Sequence, residues 1–274
     1  MKWNARRTFG VEIEFFGCTR ESVAQALNAK GIRAYVEGWN KRTVTHWKIV
    51  TDSSVNGRGC NNSNGKGNEI VSPILRGEAG LRELKVVLET LNECGAKVDK
   101  SCGIHVHHGV EDFTLDHLKN VYALYARYEN VIDMLLPKSR RQYNSYCRPI
   151  NYNSTVLAQL KRVNTYEKLA ELFASRYYKV NHENYRGRGT VEFRQHSGSL
   201  EYAKVSSWIV FTQAIVERAK LGRVAYSVQS SNWTTLKEAL KALPSMGCDE
   251  VVSGAFAYLG RRYKHWTTQE AIAA

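Results

Sequence analysis

Three short stretches of the chain alternate apolar residues with chemically active ones: "GVEIEFFG" (10–17), "GIHVHHG" (103–109) and "TVEFRQH" (190–196). On a β-strand, residues i and i+2 share a face. Glu12 and Glu14 therefore lie on one side of the first strand, with Val11, Ile13 and Phe15 on the other. His105 and His107 oppose Ile104 and Val106, and Glu192, Arg194 and His196 oppose Val191 and Phe193. A chain with this pattern must bury one face of each strand and leave the other for polar work. Parallel strands covered on both sides read instead as unbroken apolar runs. The pattern predicts a largely antiparallel sheet with helices on one face, an α+β fold.

The polar faces hold groups suited to metal and phosphate. Neighbouring carboxylates repel, and burying them unpaired costs several kcal/mol each, roughly, by desolvation. A bound cation removes that penalty. Carboxylate oxygens with water and phosphate suit Mg²⁺ and Mn²⁺, an added imidazole is better tolerated by Mn²⁺, and Arg194 offers a fork for phosphate or carboxylate. Taken singly, each motif has a plainer reading: a solvated E-x-E face, a pair of structural histidines, an E-x-R salt bridge. The repetition on three strands favours a shared metal and phosphate chemistry. Cys102, His105, His107 and His108 invite a comparison with zinc, but alternate residues of one strand point to opposite faces, which is awkward for a tetrahedral site.

Between these stretches, a helix is predicted over 21–31 ending at Gly31, strands near 33–37 and 44–51, and a strand over 69–75. A helix carries Leu81, Leu84, Leu88 and Leu91, and a long one starts at Thr114 and stops at Pro137. The Gly/Asn/Ser-rich run 52–68 is a loop, and 138–164 shows no clear period. A helix near 165–175, strands near 177–182 and 189–196, and a long helix from about 200 to 221 follow, with helical stripes around 236–243 and 251–259. The domain reading is a catalytic part over 1–222 with a helical extension over 223–274.

Lys and Arg number 39 against 26 Asp and Glu, a net charge of +13. That excess attracts polyanions, and basic residues lie beside aromatics at 138–148, 183–188 and 261–266. No signal-like leader or 18-residue apolar run is evident, so no membrane partner and a cytoplasmic location are expected. The six cysteines form no C-x-x-C pair and are expected to be mostly reduced core thiols.

The order E-x-E, G-x-H-x-H, E-x-R resembles the carboxylate-amine ligase superfamily of glutamine synthetase and the glutamate-cysteine ligases. "FGVEIEF", "DSSV", "EIVSPIL", "CGIHVHH" and "TVEFRQHSGSL" are more closely similar to the amidoligase family, a branch common in phage and bacterial genomes; the likeness spans about 8–215. It implies an antiparallel sheet curved into a partial barrel, with helices on its outer face, in a glutamine-synthetase-like catalytic fold. It further implies ATP with two or three Mg²⁺ or Mn²⁺ ions, and amide formation through an acyl phosphate. By this resemblance Glu12, His105 and Glu192 hold the metal bridging the ATP phosphates, and Glu14 with Glu69 holds one nearer the acceptor carboxylate. Arg194 contacts phosphate, joined by Arg186 and Arg188. His107 touches ATP or substrate, and Asp52 binds the amine. Substrate contact is also expected of Glu69 and Arg186.

The charge excess adds the expectation of a polyanionic substrate, such as nucleic acid or an acidic peptide. Two other functions fit the same residues: a catalytically silent ligase-fold protein that binds nucleic acid or a host protein, and a metal-dependent phosphoesterase.

Overall fold

The computed structural model describes residues 3–40, 42–56, 67–141, 144–222, 224–227, 231–241 and 249–273. The chain is mixed α+β and forms two compact units, one of Asn4–His107 with His196–Ser206, the other of Met1–Trp3, His108–Gln195 and Ser207–Ala274.

In the first unit, β1 (Thr8–Phe15) buries Phe9, Val11, Ile13 and Phe15, the alternation read from its sequence. Next comes α1 (Arg20–Ala29), whose N-cap Thr19 accepts a hydrogen bond from the Ser22 amide and so satisfies one of the amides orphaned at a helix start. β2 (Ala34–Val36), β3 (Trp47–Asp52), β4 (Gly67–Val71), β5 (Leu75–Arg76), α2 (Gly77–Glu93) and β6 (Gly103–Gly109) complete the order, β6 passing into the second unit after His107. The strands lie in the order β2, β3, β4, β1, β6, with β5 on β1. Pairing is antiparallel for β1 with β4 and β5 and for β3 with β4, whereas β2 and β3 run parallel. α2 buries Leu81, Leu84, Leu88 and Leu91, the predicted stripe, and packs on α1 and β5.

The segment expected as one strand over 69–75 is two. Pro73 has no amide to give to a ladder and separates β4 from β5, while Ser72 stays tied to Val11 by its amide and its hydroxyl oxygen, both at 2.9 Å. At the other end of β4 the Gly67 amide donates to the Val55 carbonyl at 2.9 Å. A Cβ on Gly67 would lie 2.2 Å from Val55 Cγ1 and 2.9 Å from the Phe15 carbonyl oxygen, a space only glycine fits.

The second unit contains α3 (Leu115–Asp133), α4 (Val156–Arg162), α5 (Tyr166–Leu172), β7 (Val180–Asn181), α6 (Tyr185–Arg188), β8 (Thr190–Ser197), most of α7 (Tyr202–Lys220), α8 (Trp233–Lys241) and α9 (Glu250–Ala273). β7 and β8 pair antiparallel. A capping box of Thr114 and His117 starts α3. Three helical features differ from expectation: α4 lies within the unassigned stretch, α6 is a single turn no pattern announced, and α9 continues well past its predicted stripe.

Behind this unit's surface lies a buried ionic group. Lys179 Nζ is 2.8 Å from Glu129 Oε1 and 2.6 Å from Asp133 Oδ1, with no side-chain exposure. Burial alone would depress the Lys179 pKa, but the two carboxylates outweigh it and raise it. Glu129 also accepts the amides of Ile150 and Asn151 at 3.0 and 2.7 Å. The middle of the stretch that sequence periodicity could not place is therefore tied to a buried, charged carboxylate.

No described helix is long and apolar enough to cross a membrane. Cys18, Cys94, Cys102 and Cys147 form no disulfide; Cys60 and Cys248, like 57–66 of the predicted Gly/Asn loop and 242–248 at the end of the first C-terminal stripe, lie outside the described residues.

Candidate metal and phosphate site

The polar face of the first unit's sheet gathers its acidic residues by register. Antiparallel pairing sets Glu14 on β1 opposite Glu69 on β4, and Glu69 opposite Val50 on β3, with Asp52 two residues further along β3. Beyond β1 lies β6, with His105 and His107 on one face. His105 bridges the two β1 carboxylates, its Nδ1 3.0 Å from Glu12 Oε2 and its Nε2 3.6 Å from Glu14 Oε1. His107 Nε2 is 3.2 Å from Glu12 Oε1.

Among the described residues, two groups of candidate metal donors lie wholly within the first unit. Glu12, Glu69 and His105 can bring one ligand atom each within 4.8 Å of one another, as can Glu14, Asp52 and Glu69. Glu69 belongs to both. All but Glu12 and Asp52 are buried, and those two are half-buried. Burial pushes the Glu12 carboxyl pKa up, but the charge of His107 and hydrogen bonds from His105 and His107 overcome this and hold it well below the usual range. The Glu12 carboxylate is thereby kept ionised.

Backbone and hydroxyl donors aim the other carboxylates. The Gly103 amide donates to Glu14 Oε2 at 2.6 Å. Asp52 Oδ1 accepts from both the amide and the hydroxyl of Ser54, each at 2.6 Å, within the "DSSV" stretch. The same function for a Ser54 hydroxyl is not visible in sequence, where Asp52 stood only at the mouth of a loop.

In the second unit, Glu192 and Arg194 form a buried pair on β8. Glu192 Oε1 accepts from Arg194, and Oε2 accepts from Asn181 Nδ2 on β7 at 2.8 Å. Asn181 is the partner that sequence reading missed; the antiparallel register places it directly across from Glu192. Arg186 and Arg188 stand on α6, where the exposed Arg186 pairs with Glu167 and lies 4.2 Å from the Tyr166 ring centroid. Of the ten predicted residues, the first unit thus brings together Glu12, Glu14, Asp52, Glu69, His105 and His107. The second pairs Glu192 with Arg194 and places Arg186 and Arg188 together on the single-turn α6.

Over residues 5–216 the chain matches the sequence profile of a family described as "Putative amidoligase enzyme". The protein belongs to this amidoligase family. No curated protein sequence matches the chain. Among solved structures, the crystal structure of a novel glutamine synthase homolog aligns with 97% of this chain and 67% of its own, at 10% identity and a TM-score of 0.39.

Proposed function

We propose that the protein is an ATP- and divalent-metal-dependent ligase that joins a carboxylate to an amine through an acyl phosphate. One observation carries the reading: acidic side chains from three strands and an imidazole from a fourth converge into two donor groups that share Glu69. Oxygen-rich sets of this kind, with one histidine, fit Mg²⁺ or Mn²⁺. Glu12, Glu69 and His105 are the proposed ligands of one ion, and Glu14, Asp52 and Glu69 those of another. Ions bound there would offset charge on transferring phosphoryl oxygens and orient the reactants.

The chain's own groups have distinct proposed tasks. His107, beside Glu12, faces the nucleotide or the acceptor. Asp52, assigned to the amine by resemblance, is proposed instead as a metal ligand, because Ser54 fixes one of its oxygens and leaves the other to turn toward Glu14 and Glu69. Arg194, with Arg186 and Arg188 in supporting roles, is proposed for phosphate, and Glu192 as the carboxylate that orients Arg194 and can itself ligate a metal. The reaction transfers the γ-phosphoryl group to the acceptor carboxylate, releasing ADP. The amine then attacks the acyl carbon, phosphate leaves, and the ammonium proton passes to a nearby carboxylate or to water. No side-chain nucleophile is required.

This reading keeps the partial-barrel curvature of a glutamine-synthetase-like fold, a catalytic part over 1–222 and a helical extension over 223–274 as parts of the proposal. The test is ATP-dependent phosphate release during a screen of amine and carboxylate pairs for mass gain. Activity that disappears in Glu12→Gln and Glu192→Gln, with folding intact, supports the ligase. Phosphate-ester cleavage without ATP, or activity that survives both substitutions, refutes it.

A further inference from the structure

The three places where basic residues neighbour aromatics in the sequence behave differently in the fold. In 261–266, Arg262 lies over the Trp266 ring at 5.2 Å, and Arg141 lies over the same ring at 5.3 Å. In 183–188, Arg186 is taken up by Glu167 and Tyr166. Trp266 is half-buried under these two guanidinium groups, and Arg186 is held in an ion pair. The stretch 138–148 divides: Arg140 and Arg141 turn inward and are buried, while Tyr146 is 54% exposed and Arg148 is exposed beside it.

Tyr146 and Arg148 meet a second exposed pair, Arg176 and Tyr177. The rings of Tyr146 and Tyr177 are edge to face at 5.9 Å, and Tyr177 is 37% exposed. Arg176 and Arg194 guanidinium carbons lie 5.7 and 5.6 Å from the Tyr177 ring centroid. The two segments are joined by backbone hydrogen bonds on both sides of Arg148, from its amide to the Tyr177 carbonyl at 2.6 Å and from the Lys179 amide to its carbonyl at 2.9 Å. Lys179 is the lysine clamped by Glu129 and Asp133, and Glu129 also holds the Ile150 and Asn151 amides. Exposed tyrosines are ordinarily free to turn. Here they stand on a backbone fixed by a buried ion group, so little order has to be imposed when a flat ligand arrives. Among the described residues, neither Arg148 nor Arg176 is in an ion pair.

We infer that Tyr146 and Tyr177, flanked by Arg148 and Arg176, form a stacking platform for single-stranded nucleic acid. Unpaired bases present faces that stack on tyrosine whatever their sequence, and the phosphates on either side suit the two exposed guanidinium groups. A duplex buries its base faces and presents phosphates and groove edges instead. The net charge of +13 favours any polyanion, but exposed edge-to-face rings beside two arginines that make no ion pair among the described residues select one with exposed bases. The inference does not depend on the ligase reading.

The test is fluorescence anisotropy of the full-length protein with labelled oligothymidine, a labelled duplex and labelled ATP. Single strands are expected to bind more tightly than duplex. Each of Tyr146→Ala and Tyr177→Ala should weaken single-strand binding by roughly tenfold, with Tyr→Phe restoring it and duplex binding unmoved. Arg148→Ala and Arg176→Ala should each lower the salt slope for single strands by about 0.7. Absence of oligonucleotide binding at low salt overturns the inference, as does duplex binding equal to single-strand binding with no effect of the tyrosines. So does a Tyr177→Ala loss confined to ATP, which would give the platform to a mononucleotide. Failure of ATP turnover alone bears on the ligase reading and leaves these outcomes readable.

Discussion

Glu14 on β1 stands directly across from Glu69 on β4, and both are buried. Like charges opposite one another on neighbouring strands oppose folding, and a cation between the two carboxylates would offset that repulsion. Glu69→Gln should therefore leave the metal-free protein as stable as wild type or up to ~1 kcal/mol more stable. In wild type, Mg²⁺ or Mn²⁺ at about 100 times its dissociation constant should add about 2.7 kcal/mol, and the variant should lose most of that gain. Thermal melts in chelator and in metal decide it; a variant that unfolds in chelator would return Glu69 to a structural role.

Among the described residues, Ser54 touches the proposed metal donors through Asp52. Removing its hydroxyl in Ser54→Ala should reduce metal affinity by about tenfold or more, as loss of a partner that orients a ligand does. Calorimetric titration with Mn²⁺ measures this directly. If metal affinity holds and the Michaelis constant for the amine rises instead, Asp52 serves the amine, as its likeness to the family first implied.

Lys179 neutralises two carboxylates where water does not reach. Lys179→Met should destabilise the protein by about 3–5 kcal/mol, because it strands buried charge rather than removing a contact. Urea unfolding provides the measurement. Adding Asp133→Asn to the same chain should recover part of the loss.

His182 is buried, its Nδ1 2.5 Å from the Tyr122 hydroxyl oxygen, and burial lowers its pKa from 6.5 to about 4. As pH falls below about 6.5, the unfolded chain takes up a proton at this residue. The folded chain does not do so until about pH 4. Stability contributed by keeping His182 neutral is thus complete above pH 6.5, declines between those values and is gone below pH 4, a span worth up to about 3 kcal/mol. Urea midpoints at pH 7 and pH 4.5 should converge in His182→Gln relative to wild type; an unchanged difference refutes this assignment.

The motif strands were legible because their period of two is local: Val11, Ile13 and Phe15 are buried, and Glu12 and Glu14 turn to the other side. α2 and α3 were legible for a like reason, a stripe and a cap. What sequence could not supply was register. That Glu69 faces Glu14, and that Asn181 faces Glu192, depends on which residues lie opposite each other across a pair of strands. The stretch around 138–164 was opaque in part because its middle, at Ile150 and Asn151, is held by the Glu129 carboxylate on a distant helix, and the one helix within it, α4, is only seven residues long.

Gly67 gives that register a mechanical stop. With Val55 and the Phe15 carbonyl against its α-carbon, β4 cannot advance by one residue without driving a side chain into that space. A slip would also exchange Glu69 for Ile70 on the polar face. The alignment of the acidic side chains is consequently set at Gly67 and along β4 itself. The proposed metal donors would therefore keep their places if β4 began from a differently built connection.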